Sequence, residues 1–265
     1  MESHLLLIDL DGTVYTHVGI IPGVIAALDN LRADGHVIRF LTNTDSKSTP
    51  GMLNSLWAKG LDVKASELFT SVTAVEALLA VCADVAVLPL TNEMVAGQLA
   101  TRFPLVSPGS RDPVTHVIVG DVRESLSYSL LDSAFQALSG GASLVALQKG
   151  RFFLTGAMAH LDTGAVVAAL EYAANTEAIV VGKPSGAFLR LAIESAGAHF
   201  ATERIWVVGD DVTTDIRMGR SAGVTTVQVR TGKYGAQSEL NGHAGPVHLI
   251  DSLALLPSLL QRVSP

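Results

Sequence analysis

Carboxylates, one amine and one hydroxyl–amide pair recur in this chain where strand-like runs end. Asp9 and Asp11 stand in Ile8-Asp9-Leu10-Asp11-Gly12, after the apolar run Leu5-Leu6-Leu7. Thr42-Asn43 closes the β-rich run Val37 to Leu41, and Gly182-Lys183-Pro184 follows Ala178 to Val181. Gly209-Asp210-Asp211, with Asp215 beyond, follows Ile205 to Val208. Gathered together, such acids repel and raise one another's pKa. A divalent cation relieves that repulsion. Oxygen ligands with no Cys or His nearby favour Mg²⁺, which keeps waters and takes phosphate oxygens. Asp9 and Asp11, two residues apart across a turn, can divide the work of nucleophile and acid/base. The Thr42 hydroxyl and the Asn43 N–H suit phosphoryl oxygens, and Lys183 adds positive charge where a transferring phosphoryl group is most negative. Singly, each group has a structural explanation as a turn or a helix N-terminus. The chemical reading rests on all of them, in order, each after a strand-like run.

These groups need a scaffold that brings distant strand ends together. Leu5 to Asp9 reads as a strand, Pro22 to Ala33 as a helix, Val37 to Leu41 as a strand, and Gly51 to Lys59 and Val72 to Val81 as helices. Late in the chain, strands are expected at Ala178 to Val181, Ile205 to Val208 and Val224 to Val229, with helices at Ser185 to Ala196, Thr213 to Ser221 and Ser252 to Gln261. This alternation predicts parallel strands joined by right-handed crossovers, with ligands beyond the carboxyl ends of the strands. The middle region carries its own signals, at Val85 to Leu88, Met94 to Ala100, Val117 to Val119, Leu126 to Leu138, Leu144 to Leu147, Phe152 to Leu154 and Thr163 to Ala174. It can extend the same sheet or form an inserted domain; periodicity alone leaves both open.

The composition narrows the function classes. The chain has 265 residues, 48% of them apolar, and a net charge of -7 with no basic block, which argues against nucleic acid as the main partner. The most apolar stretch, Ala74 to Leu90, is broken by Glu76 and Asp84, too charged for a bilayer. No signal peptide is read at the N-terminus, and the single cysteine, Cys82, fits a reducing cytoplasm. His17, His36, His116, His160, His199, His243 and His248 lack metal-ligand spacing. Lys149 and Arg151 are candidates for the remote part of an anionic substrate, against the alternative of a solvated hairpin turn.

The motifs resemble a known family. Ile8 to Tyr15, Phe40 to Asn43, Gly182 to Pro184 and Gly209 to Asp215 are similar to the four motifs of haloacid dehalogenase (HAD) superfamily phosphatases. Ile21-Pro22-Gly23, Phe69-Thr70-Ser71 and Val229 to Tyr234 resemble subfamily IIA, which carries a C2-type cap and includes NagD-like and 4-nitrophenyl-phosphatase-like enzymes. Lys149 to Phe153 and Ala169 to Ala173 look most like its phospholysine phosphohistidine inorganic pyrophosphate phosphatase group. The resemblance implies an α/β fold: a doubly wound parallel-sheet core, 1–83 and 179–265, with an inserted α/β cap domain, 84–178. It implies Asp9 as nucleophile, Asp11 as acid and base, and Lys183 bridging Asp9 and phosphate. Mg²⁺ would be held by Asp9, the Asp11 carbonyl and Asp210, with Asp211 or Asp215 in support, while Thr42 and Asn43 grip the phosphoryl group. The implied partner is a small phosphorylated metabolite, and caps of this type often dimerise.

The sequence departs from the subfamily at Thr44-Asp45-Ser46, where many members have Asn and Ser, and at Gln148-Lys149-Gly150, where many have Asn-x-Asp. Other readings are a phospho-acceptor signalling module, with a longer-lived phosphoenzyme, or a non-catalytic phosphate-binding protein of the same fold. A dinucleotide-binding protein lacks its Gly-x-Gly-x-x-Gly turn.

Overall fold

The computed structural model describes residues 3–155, 158–237 and 245–263. His243 lies outside the described residues. The chain divides into two compact units, one of Met1–Thr42, Leu53–Phe69 and Lys183–Pro265, the other of Asn43–Met52 and Thr70–Gly182.

The first unit is built on a six-stranded sheet. Its order is His248–Ile250, Thr225–Val229, Ile205–Gly209, Leu5–Asp9, Val37–Thr42 and Leu68–Thr70. Leu5–Asp9 is buried along its whole length, as expected of a near-continuous apolar run in a parallel sheet covered on both faces. It pairs in parallel with Val37–Thr42 on one side and Ile205–Gly209 on the other. Strand order therefore runs outward in opposite directions from Leu5–Asp9, which creates a switch point beside it. Ile8 is level with both Phe40 and Val208, so Asp9, Thr42 and Asp210 follow at one edge of this sheet.

The second unit has a four-stranded parallel sheet, ordered Ile179–Val180, Ser143–Ala146, His116–Val119 and Val87–Leu90. Helices Tyr128–Ser139 and Thr163–Ala174 bury Leu130, Ala134, Leu138, Val167 and Leu170 in a core with the sheet residues Val117, Val119, Leu144 and Ala146. An antiparallel hairpin, Phe152–Thr155 with Met158–Leu161, completes it.

Three expectations are corrected by the structure. The strand before Lys183 was expected in the core, but Ile179 pairs with Val145 and Val180 with Ala146, in the other sheet. Its partner is chosen by tertiary pairing, which its own residues do not specify. The run Thr213 to Ser221 is not one regular helix: a π-helical turn, Val212–Ile216, precedes the short helix Arg217–Ser221. The Asp211 side chain takes the Thr213 N–H while its carbonyl takes those of Asp215 and Ile216. Residues 43–52 and 70–83, expected in the core, group with the second unit.

Candidate active site

Asp9 is the last residue of the central strand and is buried. Asp210 and Asp215 come from the segment after the neighbouring strand and are also buried. The π-helical turn folds Asp215 back, so that one carboxylate oxygen from each of Asp9, Asp210 and Asp215 lies within 4.8 Å of the others. Among the described residues this is the group that could hold a metal ion, and it contains no histidine.

Lys183 enters the same cluster. Its ammonium is buried, donating to Asp9 Oδ1 and, at 2.8 Å, to Asp215 Oδ1. Burial works against the Lys183 cation, but the Asp215 and Asp9 carboxylates outweigh it and hold the pKa above the ordinary lysine value. Burial raises the Asp210 carboxyl, and Asp9 and Asp215 raise it further. Asp215 is likewise raised, chiefly by burial, with Lys183 opposing. One ammonium among three buried acids leaves an excess of negative charge. A hard divalent cation fits this all-oxygen set, with Asp9, Asp210 and Asp215 as holders.

Asp211 does other work. It accepts from Thr213 N and Oγ1 at 2.8 and 2.6 Å, from Gln237 Nε2 at 2.9 Å and from Lys233 Nζ at 2.9 Å. Burial disfavours its anion, yet Lys233 and these donors prevail and keep it well below the usual carboxylate range. Asp11 lies outside the three-acid group, and its side chain is exposed. Beside it, burial and then the Asp11 and Asp9 charges hold the Tyr15 phenol above its ordinary pKa. Thr42 is buried at the end of its strand, and Asn43 opens the segment belonging to the second unit.

In the second unit, Lys149 Nζ pairs with Glu171 Oε1 at 2.7 Å, and Arg151 is exposed. Gln148, in place of the subfamily's acidic segment, donates to Asp162 at 2.8 Å. The Asp45 carboxylate is buried and accepts from Thr163 Oγ1 at 2.6 Å. Sequence reasoning missed the contacts of Thr231, Gly232, Lys233 and Gln237 with the site. The Thr-Gly-Lys run after a core strand was their only signal.

A sequence profile described as haloacid dehalogenase-like hydrolase matches residues 6–101, and a HAD-hydrolase-like profile matches residues 180–256. Haloacid dehalogenase-like hydrolase domain-containing protein 2 of Mus musculus is 35% identical over 234 residues, covering 88% of this chain and 86% of the relative. The chain belongs to the haloacid dehalogenase-like hydrolase family. Phospholysine phosphohistidine inorganic pyrophosphate phosphatase of Xenopus laevis is 31% identical over 256 residues, covering 94% of this chain and 91% of that protein. The p-nitrophenyl phosphatase from Archaeoglobus fulgidus superposes with a TM-score of 0.87 at 25% identity, covering 97% of this chain and 99% of that one. NagD from E. coli K-12 shares the fold, with a TM-score of 0.82 at 24% identity over 96% of this chain and 98% of that one. The fold is thus the doubly wound parallel-sheet core of this hydrolase family with an inserted α/β cap.

Proposed function

We propose that this hydrolase is a magnesium-dependent phosphatase that acts on a small phosphomonoester through an aspartyl-phosphate intermediate. The observation that carries this reading is the buried cluster of Asp9, Asp210 and Asp215 with Lys183 at one strand edge. Its relatives named as phosphatases support the reaction class.

Asp9 attacks phosphorus, and the bond to the leaving oxygen breaks as Asp11 delivers a proton to it. Asp11 then takes a proton from a water molecule, which attacks the same phosphorus and releases Asp9. The exposure of Asp11 suits this exchange of protons with substrate and water. Lys183 stays cationic at neutral pH, orients Asp9 and offsets phosphoryl charge. Thr42 and Asn43 are assigned to the phosphoryl oxygens. Asp9, Asp210 and Asp215, with the Asp11 carbonyl, would hold Mg²⁺, which would supply charge stabilisation at the phosphoryl oxygens. Lys149 and Arg151 are assigned to the remote part of the substrate, Lys149 only after exchanging its Glu171 partner. The single free thiol, Cys82, supports a cytoplasmic site of action.

The test is a panel of phosphorylated metabolites with Mg²⁺, with Asp9→Asn as the blank. Asp9→Asn should remain folded and lose turnover by at least about a thousandfold, the scale for removing a nucleophile. Full activity in that variant would end the covalent mechanism.

A further inference from the structure

The carboxylate of Asp210 is confined more tightly than metal binding alone explains. Its Oδ2 accepts the Lys233 N–H at 2.6 Å, and its backbone carbonyl accepts Gln228 Nε2 at 3.1 Å. Two glycines face it: a Cβ at Gly12 or at Gly232 would overlap the Asp210 carboxylate, and one at Gly232 would also come within 2.6 Å of the Gly12 Cα. Both glycines have positive φ, 90° and 57°. Thr231 closes the arrangement by donating its hydroxyl to the Gly12 carbonyl at 2.5 Å. The late turn and the nucleophile turn thus grip one acid from two sides and are tied to each other. The Lys233 ammonium pairs with Asp211 at 2.9 Å, while its backbone N–H holds Asp210.

We propose that the Thr231–Gly232–Lys233 turn is a positioning element that sets the core's affinity and selectivity for its divalent cation by fixing the Asp210 carboxylate. The proposal rests on the metal-dependent reading above. Mg²⁺ demands near-ideal octahedral geometry at about 2.1 Å, whereas Ca²⁺ accepts looser, longer coordination. A misplaced Asp210 should therefore weaken Mg²⁺ binding more than Ca²⁺ binding. Simple loss of stability has no reason to change that ratio.

The experiment is calorimetric titration of the full chain with Mg²⁺ and with Ca²⁺, without substrate, alongside melting of the metal-free protein. Gly232→Ala should raise the Mg²⁺ Kd about tenfold or more and the Ca²⁺ Kd less. Thr231→Val should raise the Mg²⁺ Kd about threefold, and Thr231→Ser should restore it. These fold-changes reflect a partial loss of one charged ligand contact. A folded Gly232→Ala variant with wild-type Mg²⁺ affinity overturns the proposal. Should that variant not fold, wild-type affinity in Thr231→Val overturns it instead. A wild-type protein that binds no Mg²⁺ overturns the metal-dependent reading itself. Mg²⁺ binding without turnover of any phosphate ester overturns the phosphatase reading alone.

Discussion

Replacing Asp45 with Asn should make the protein more stable at neutral pH, the reverse of the usual effect of altering a buried residue. Asp45 is 7% exposed, and burial pushes its carboxyl from 3.8 up to about 6, against the Thr163 hydrogen bond and with Asp162 and Asp121 adding to the rise. Arg123, which pairs with Asp121, also interacts with Asp45. The folded state therefore binds this proton more tightly than the unfolded chain, and stability falls as pH climbs from about 4 to about 6. A rise of about two pKa units corresponds to about 3 kcal/mol above pH 7, at about 1.4 kcal/mol per unit. Asn is neutral at every pH, and its Oδ1 can still accept from Thr163. Urea denaturation followed by circular dichroism should show Asp45→Asn more stable by about 3 kcal/mol at pH 8 and by about half that at pH 5. A gain that is absent at pH 8, or equal at both pH values, would refute the reasoning.

Other consequences of the site can be measured directly. Asp210→Asn removes a carboxylate whose charge is opposed by burial and by Asp9 and Asp215, so it should raise the melting temperature in EDTA near pH 8. The same variant should lose the upward shift that Mg²⁺ gives the wild type. Lys183→Met leaves Asp9 and Asp215 buried without their shared cation, which should cost about 3–5 kcal/mol, measurable by denaturant titration. EDTA should stop turnover and added Mg²⁺ should restore it, as followed by phosphate release.

The three-acid cluster was legible in part because Asp9 ends, and Asp210 follows, a strand that is buried throughout. Leu5–Asp9 is apolar and buried throughout, so its position at the centre of a parallel sheet could be anticipated. The helix Thr163–Ala174 has the expected bounds, since Asp162 caps its start and Asn175, at φ 48°, closes it. Leu68–Thr70 and His248–Ile250 escaped notice because strands of three residues show no periodicity. Ile179–Val180 looked like a core strand because its apolar character is common to both sheets. The grip on Asp210 was hidden for a different reason. Thr231 and the Gly12 carbonyl it holds are 219 residues apart, and no local pattern reports such a meeting.

The allegiance of Ile179–Val180 governs how the second unit can be exchanged between relatives. A transplant cut at the end of helix Thr163–Ala174 would strand those two residues beside a foreign sheet, their N–H and C=O groups seeking a new neighbour. A junction between Gly182 and Lys183 carries the whole sheet across and leaves the Lys183 amine with Asp9 and Asp215.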